Sequence, residues 1–284
     1  MVQITILILF VLGNYSLLEL RKHQGKENIF VQNTPSLEVD GSILSKEQVS
    51  TILSGDLSFS KVFGVIPLAD PFASLQLFLA GGILAFDVWL GVLLIVFFYG
   101  IFVGRAYCAY VCPVNLLTDF AAYLRSKLGL NSLKGIFLPR GFKYAVLVCS
   151  LILSVLFAIP AFESINPISA LHRGLIFGMG FGILGILAIF FFDLFVLRHG
   201  FCGYVCPVGA AFSLIGKFAL LRVKHDAKHC SKCMKCLAIC PEKQVLDMVG
   251  KESRSVDSMA CLRCGRCIEV CEDDALNFTF RREK

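Results

Sequence analysis

The chain has 284 residues, of which 56% are hydrophobic and only 17% charged, and its mean hydropathy is +0.74. This excludes an ordinary soluble globular domain and is the balance of a membrane protein. The net charge of +6 therefore reports topology first, and no nucleic-acid partner is expected.

A bilayer core takes roughly 20 apolar residues of helix. Four stretches qualify: about 2–18 (interrupted by Asn14), 78–103, 144–162 and 175–197. The first has neither a basic lead nor a small-x-small cleavage site, so it is expected to stay as a span, with a signal peptide as the alternative. Segment 104–143 carries six Lys and Arg residues and the tail from Arg198 fifteen, against one in 163–174 and five in the long loop 19–74. The basic side is cytoplasmic, although Arg21 and Lys22 run against the count. The expectation is a multi-pass protein of the bacterial inner membrane with both termini inside and loops 19–74 and 163–174 outside. Its fold class is mainly α: a membrane region over 1–222 with four transmembrane helices as two repeated hairpins, then a cytoplasmic α+β ferredoxin domain over 223–284.

The hairpins repeat in sequence. "CAYVCPVN" at Cys108 to Asn115 returns as "CGYVCPVG" at Cys202 to Gly209, so Cys108, Cys112 and Pro113 reappear 94 residues later as Cys202, Cys206 and Pro207. "DPFASL" at Asp70 to Leu75 is echoed by "NPISAL" at Asn166 to Leu171. A pseudo-two-fold axis along the membrane normal relates such halves. Cysteines four apart share one helical face. A proline disfavours helix in the residue before it and suits the first turn of the next helix, so breaks are expected at Cys112 and Cys206. "PVNLLTDFAAYLRSKL" then reads as an interfacial helix, with Leu116, Phe120, Leu124 and Leu128 in one stripe and Arg125 and Lys127 reaching headgroups. The axis brings Cys108, Cys112, Cys202 and Cys206 together. Four soft ligands suit a third iron–sulfur centre or zinc; redox thiols and simple packing are the alternatives. Cys149, alone in the third span, reads as a small buried residue.

The tail holds the most specific pattern. "CSKCMKCLAICP" and "CLRCGRCIEVC" are both C-x2-C-x2-C-x3-C, the run of bacterial ferredoxins with two 4Fe–4S clusters, in which the fourth cysteine ligates the other cluster. One cluster is thus expected on Cys230, Cys233, Cys236 and Cys271, the other on Cys261, Cys264, Cys267 and Cys240. The crossed fourth ligand would staple two small halves that lack a hydrophobic core. Zinc fits poorly, because its sites come as separated cysteine pairs. Glu272 stands where the first run has Pro241. Lys232, Lys235, Arg263 and Arg266 interleave with the ligands; they raise cluster potentials, dock an acidic partner, or form a solvated basic surface.

Together with "VIPLADP", "INPIS" and "HGFCGYVCPVGA", these motifs resemble the NapH family of ferredoxin-type membrane proteins, within a wider group that includes NosR, RdxA and FixG/CcoG. The resemblance runs from about Gly13 onward; part of loop 19–74, "KHQGKENIFVQNTPSLEVDGS", reads as an insertion. It implies a quinol dehydrogenase component that draws on the membrane quinone pool. Electrons would pass to a NapG-type periplasmic iron–sulfur protein, with a NapC-type cytochrome as a further partner, and on to nitrate reductase. In the FixG/CcoG branch the implied role is instead reduction for metal or cofactor maturation.

Quinol oxidation needs an apolar slot, a proton acceptor and a redox centre. Ionisable residues in a span are costly and so become candidates. Asp193, His199 and Tyr99, the last at the repeat position of Asp193, are expected to line one pocket beside the four thiols. A hydrogen bond within the bundle or a salt bridge to Arg198 would also account for Asp193. His172 and Arg173 offer a rival outer site, and the direction of Asp87 is open.

Overall fold

A computed structural model describes residues 2–13, 53–55, 59–62, 66–130, 139, 141–163, 166–171 and 182–280. The insertion, His172 and Arg173 lie outside these residues, as does the end of the first expected span. Helix α1 (Val2–Gly13) packs beside the first CxxxCP string, and Gln3 Nε2 donates to the Ala109 carbonyl at 2.5 Å. Strands β1 (Leu53–Gly55), β2 (Phe59–Val62) and β3 (Ile66–Ala69) form an antiparallel sheet, with Leu53 opposite Val62 and Phe59 opposite Ala69. "VIPLADP" is thus a strand running into a helix cap.

Asp70 caps α2 (Pro71–Leu79): its Oδ1 accepts from Phe72 N at 2.9 Å, with proline in the first turn. Asn166 does the same for a helical turn at 167–171, accepting from Ile168 N at 3.0 Å. The two Asx-Pro turns are therefore equivalent N-caps.

The second expected span begins later than its sequence suggests. Gly81, at φ +87°, ends α2, and a new helix, α3 (Phe86–Phe97), starts beyond it and runs into a π-helical segment, Phe98–Val103. The apolar run from 78 is continuous in composition, but a left-handed glycine cannot continue a helix. Gly91 lets α3 lie against β3, because a Cβ there would meet Ala69 N and Pro67 O at 3.0 Å. Among the described residues, Phe86–Val103 is the one helix both long and apolar enough to cross a membrane. Within the third and fourth expected stretches lie α6 (Phe142–Phe157) and α7 (Gly182–Phe191) with a π-helical end, Phe192–Val196, both apolar but shorter; residues 175–181 lie outside the described ones.

These helices turn apolar side chains outward. Leu93, Phe97, Val148, Leu156, Leu184 and Phe195 are exposed, while Gln76, Ser150 and Ser154 are buried. Gln76 Oε1 accepts from Phe162 N at 3.0 Å and from Ser154 Oγ at 3.5 Å, tying α2 to α6. Cys149 faces outward with the apolar residues and is exposed, correcting the expectation of burial.

Cys108 lies on α4 (Ala106–Tyr110), and Cys112 precedes α5 (Pro113–Lys127). Cys202 lies in a π-helical turn, Phe201–Val205, and Cys206 precedes α8 (Pro207–Ile215). Both breaks fall at the cysteine before proline. On α5 the exposed face carries Leu116, Phe120, Tyr123 and Leu128, but Arg125 is buried. Its guanidinium donates to the carbonyls of Asp193 and Leu194 at 3.4 and 3.1 Å. It serves the last turn of α7 rather than a headgroup, because those carbonyls have no partner within their helix.

In the tail, β4 (Leu221–His225) pairs antiparallel with β5 (Leu276–Phe280), closing its two ends together. Between them lie α9 (Lys235–Ile239) and α10 (Arg266–Glu269). Val223, Leu246, Met248, Val249, Val256 and Leu276 form a buried cluster with Cys236 and Cys267. The tail therefore has a small apolar core, contrary to the expectation from its short runs; the segment between the runs supplies Leu246 to Val256.

Candidate metal centres

The two cysteine runs of the tail fold alike. The residues flanking the middle cysteine all have positive φ: Lys232 (61°) and Met234 (58°) around Cys233, Arg263 (52°) and Gly265 (76°) around Cys264. Side chains with a Cβ rarely adopt this conformation. Three of them do so here at matching places, as strain retained at functional sites does.

The kinks gather the thiols. Cys230, Cys233, Cys236 and Cys271 line one cavity, and Cys240, Cys261, Cys264 and Cys267 line another. Each cavity thus takes three cysteines from one run and the fourth from the other. Among the described residues, no three His, Cys, Asp or Glu side chains are close enough to hold a single ion. A zinc site needs its thiolates about 2.3 Å from one point. Thiols spread around a cavity fit a body with several metal atoms. The first cavity is the outer one, with Cys233 and Met234 exposed at its edge. His225, fully buried, also lines it; its Nδ1 meets the Glu252 carbonyl at 2.7 Å and, among the described residues, its Nε2 has no hydrogen-bond partner.

The second cavity faces the helical body. Arg263, which lines it, donates to the carbonyls of Val103 at 3.1 Å and Gly216 at 3.3 Å. Arg266 forms a two-pronged pair with Asp119 of α5. Tyr110 donates to the Cys264 carbonyl at 3.1 Å, and Leu220 N donates to Ile101 O at 2.7 Å. Arg263 and Arg266 are thus docking groups and not a solvated basic surface. Lys235 does remain outside, paired with Glu272 at 2.6 Å, the residue that replaces the second proline.

The four CxxxCP thiols meet in the core of the body. Cys108, Cys112 and Cys206 are buried together with Val114, Val208 and Phe212, and Cys202 packs against them. Gly209 N donates to Cys206 Sγ at 3.5 Å, and Thr118 Oγ lies 3.9 Å from Cys202 Sγ. Burial pushes the Cys206 thiol up to about 11 and those of Cys112 and Cys202 well above their usual range. Hydrogen bonds to sulfur and a shielded apolar wall are what tune a metal–thiolate group.

The π segments repeat as the cysteines do, since Tyr99 and Asp193 are each the second residue of theirs. Tyr99 lies within electrostatic reach of Cys108 and packs on Tyr107 and Phe212; Asp193 stands in the same relation to Cys202. The two candidates therefore flank different thiols of one group. Asp193 is fully buried; Oδ1 accepts from Phe201 N at 2.9 Å and, among the described residues, Oδ2 has no hydrogen-bond partner. Arg198 does not pair with it but donates to the Ala238 carbonyl at 3.1 Å. His199 is buried, with Nε2 3.8 Å from Asp119. Desolvation holds its imidazole down at about 4, so it is neutral, although Asp119 pulls the other way. No motif or spacing marks Asp119, a polar residue within "PVNLLTDFAAYLRSKL".

Arg105 is the other residue that composition concealed. Counted only as a basic residue near a span, it is 1% exposed and reaches Glu242 at 3.7 Å, the Cys202 carbonyl at 2.7 Å and the Ala260 carbonyl at 3.1 Å. Its repeat partner, 94 positions on, is His199.

A family model described as a 4Fe-4S binding domain matches the chain twice, over 84–131 and 179–225, and a 4Fe-4S dicluster domain matches 222–272. The double match falls on the two repeats. The methylamine utilization ferredoxin-type protein MauN of Methylorubrum extorquens is 43% identical over 196 residues, 69% of this chain and 68% of its own. The ferredoxin-type protein NapH of Escherichia coli is 39% identical over 234 residues, 81% of each chain, and that of Haemophilus influenzae 40% over 235, again 81% of each. No solved structure matches.

Proposed function

As a member of the family of ferredoxin-type proteins NapH and MauN, to which it belongs, the chain is an iron–sulfur electron-transfer protein, and we propose that its electron donor is quinol. In this reading the helical body, 1–222, spans the inner membrane four times and 223–284 is the cytoplasmic ferredoxin domain. The outer 4Fe–4S cluster is held by Cys230, Cys233, Cys236 and Cys271, the inner one by Cys240, Cys261, Cys264 and Cys267. Cys108, Cys112, Cys202 and Cys206 hold a third centre. When bound, these groups supply one-electron redox steps between a two-electron donor and a protein partner.

The observation that carries the reading is the convergence of the four CxxxCP thiols in one buried group against the inner cavity of the tail. It orders the sites from the lipid-facing body through the inner set to the exposed outer one. Asp193 takes the proton from quinol in this reading; in support, its Oδ2 is buried beside Cys202 and, among the described residues, has no hydrogen-bond partner. Tyr99 orients the ring from the Cys108 side, and neutral His199 passes the proton toward Asp119, which is 22% exposed at its side chain. A NapG-type protein is the proposed route to periplasmic nitrate reductase, with a NapC-type cytochrome as a further partner.

Anaerobically purified protein should lose its visible cluster absorbance on adding a reduced quinol analogue. Asp193→Asn should slow that bleaching at least tenfold with iron content unchanged. Iron-loaded protein that stays coloured under quinol would overturn the reading. A relative named for methylamine utilization is as similar as NapH, so nitrate reductase need not be the acceptor; in a second reading, taken from the resemblance to the FixG/CcoG branch, the chain reduces a metal or cofactor during maturation of another oxidoreductase. Oxidation of pre-reduced clusters by copper, with no response to quinol, would favour it.

A further inference from the structure

The repeat breaks at two positions. Ala109 and Asn115 of the first string correspond to Gly203 and Gly209 of the second. A Cβ on Gly203 would stand 2.9 Å from Glu242 Oε1, and one on Gly209 would stand 2.9 Å from Arg105 Nη2. The glycines leave room for two charged side chains, and those side chains meet, with Arg105 Nη1 3.7 Å from Glu242 Oε1. Glu242 lines the inner tail cavity with its four cysteines. Arg105 is within electrostatic reach of Cys108, Cys202 and Cys206, and it also holds the carbonyls of Cys202 and of Ala260, the residue before Cys261. The pair therefore has one member at each group of thiols.

Stability alone is a weak reason for such a pair. Replacing a buried ion pair by apolar groups is often neutral or stabilising, because desolvation offsets the attraction. The pair does not stand alone. Lys143 is buried nearby, its Nζ donating to Ser213 Oγ at 3.4 Å and lying within electrostatic reach of Arg105 and Glu242. Two cations, Arg105 and Lys143, and two carboxylates, Glu242 and Asp193, thus stand around the four thiols. Removing any one of these charges changes the field at a thiol group that water screens little.

We propose that Arg105 and Glu242 are positioning residues that set the reduction potentials of the two centres they lie between, Arg105 upward and Glu242 downward. Reduction adds negative charge to a centre, so a fixed cation favours it and a fixed carboxylate opposes it. The proposal rests on the reading that both thiol groups hold clusters.

The test is an EPR-monitored redox titration of full-length, anaerobically purified protein. Arg105→Gln should lower the midpoints of the inner cluster and the third centre, and Glu242→Gln should raise them. The double variant and Arg105→Lys should return toward wild type, with the outer cluster unmoved throughout. A merely structural pair would give shifts of the same sign in both single variants, since each breaks the same contact. Same-sign shifts, or none, overturn the proposal. If Arg105→Gln does not retain iron, Glu242→Gln and Arg105→Lys decide: the first must still raise the midpoints and the second must leave them near wild type. Cys202→Ser separates the premise from the inference. Wild-type iron in that variant removes the third centre and sinks the premise. Loss of roughly a third of the iron, one 4Fe–4S cluster in three, with midpoints unmoved in the Arg105 and Glu242 variants, overturns the bridge alone.

Discussion

Asp70 and Asn166 do one job with two chemistries. Each caps a helix at an Asx-Pro turn, but only Asp70 can ionise, and it is buried. Desolvation raises its carboxyl from 3.8 to about 7 against the pull of the Phe72 N–H, and Glu163 nearby adds to the rise. The unfolded chain ionises near 3.8, so Asp70 lowers stability progressively as pH rises from 3.8 to about 7, by an amount on the order of a few kcal/mol. Asp70→Asn keeps the acceptor for Phe72 N. Its melting temperature should equal that of wild type at pH 4 and exceed it at pH 8; a variant less stable at pH 8 would show that the charge itself is used. The same scale separates what the sequence disclosed from what it hid. The tail cysteines stood out because three ligands to one cluster must be close in the chain. Arg105, Asp119 and Arg125 did not, because a basic or acidic residue near a span looks the same whether it meets water or a distant buried partner.

At the scale of elements, the repeat was legible because both halves reuse the same local devices: an Asx-Pro cap, an apolar helix, and a cysteine before a helix-starting proline. The π segments at Phe98–Val103 and Phe192–Val196 were not, since hydrophobic periodicity does not distinguish one extra residue in a turn. Both cavities were foreshadowed by spacing, whereas the docking of the tail was not, for it is made by bonds between residues far apart in sequence. Arg263 shows how that docking works. Held at φ 52° between two cysteines, it fills the space beside Gly104, where a Cβ would lie 1.1 Å from its Nη1, and satisfies the Val103 and Gly216 carbonyls at the ends of two helices. Arg263→Ala leaves those acceptors without their donor, at a cost of about 2–4 kcal/mol to docking. Limited proteolysis should then cut faster at residues 217–222 while the outer cluster keeps its EPR signal. Unchanged cleavage would mean that Arg266 and Tyr110 suffice.

At the scale of the whole molecule, helix Phe86–Val103 fixes a distance. Its 18 residues span about 27 Å, close to the roughly 30 Å of a bilayer core. Its two ends carry different structures. Near the first lie β3 and the capped helix α2, and at the last the tail is docked through Val103 and Ile101. A tail bound there shares its side with Val103, whatever that side is. The proposed topology puts it inside, on the count of fifteen Lys and Arg residues from Arg198 onward and on the reducing compartment that eight thiols meant for iron need. A C-terminal epitope should therefore resist protease in intact spheroplasts and be cleaved in inverted vesicles, and an epitope in loop 19–74 should behave in the opposite way. Cleavage of the tail in intact spheroplasts would put the clusters outside and reverse the order of the proposed electron line. The expected result keeps every thiol group on the inner face, so electrons bound for a periplasmic acceptor must recross the lipid through quinone or through a second chain. That requirement follows from the sidedness alone and holds under both readings, so bleaching by quinol, not topology, chooses between the quinol reading and the maturation reading.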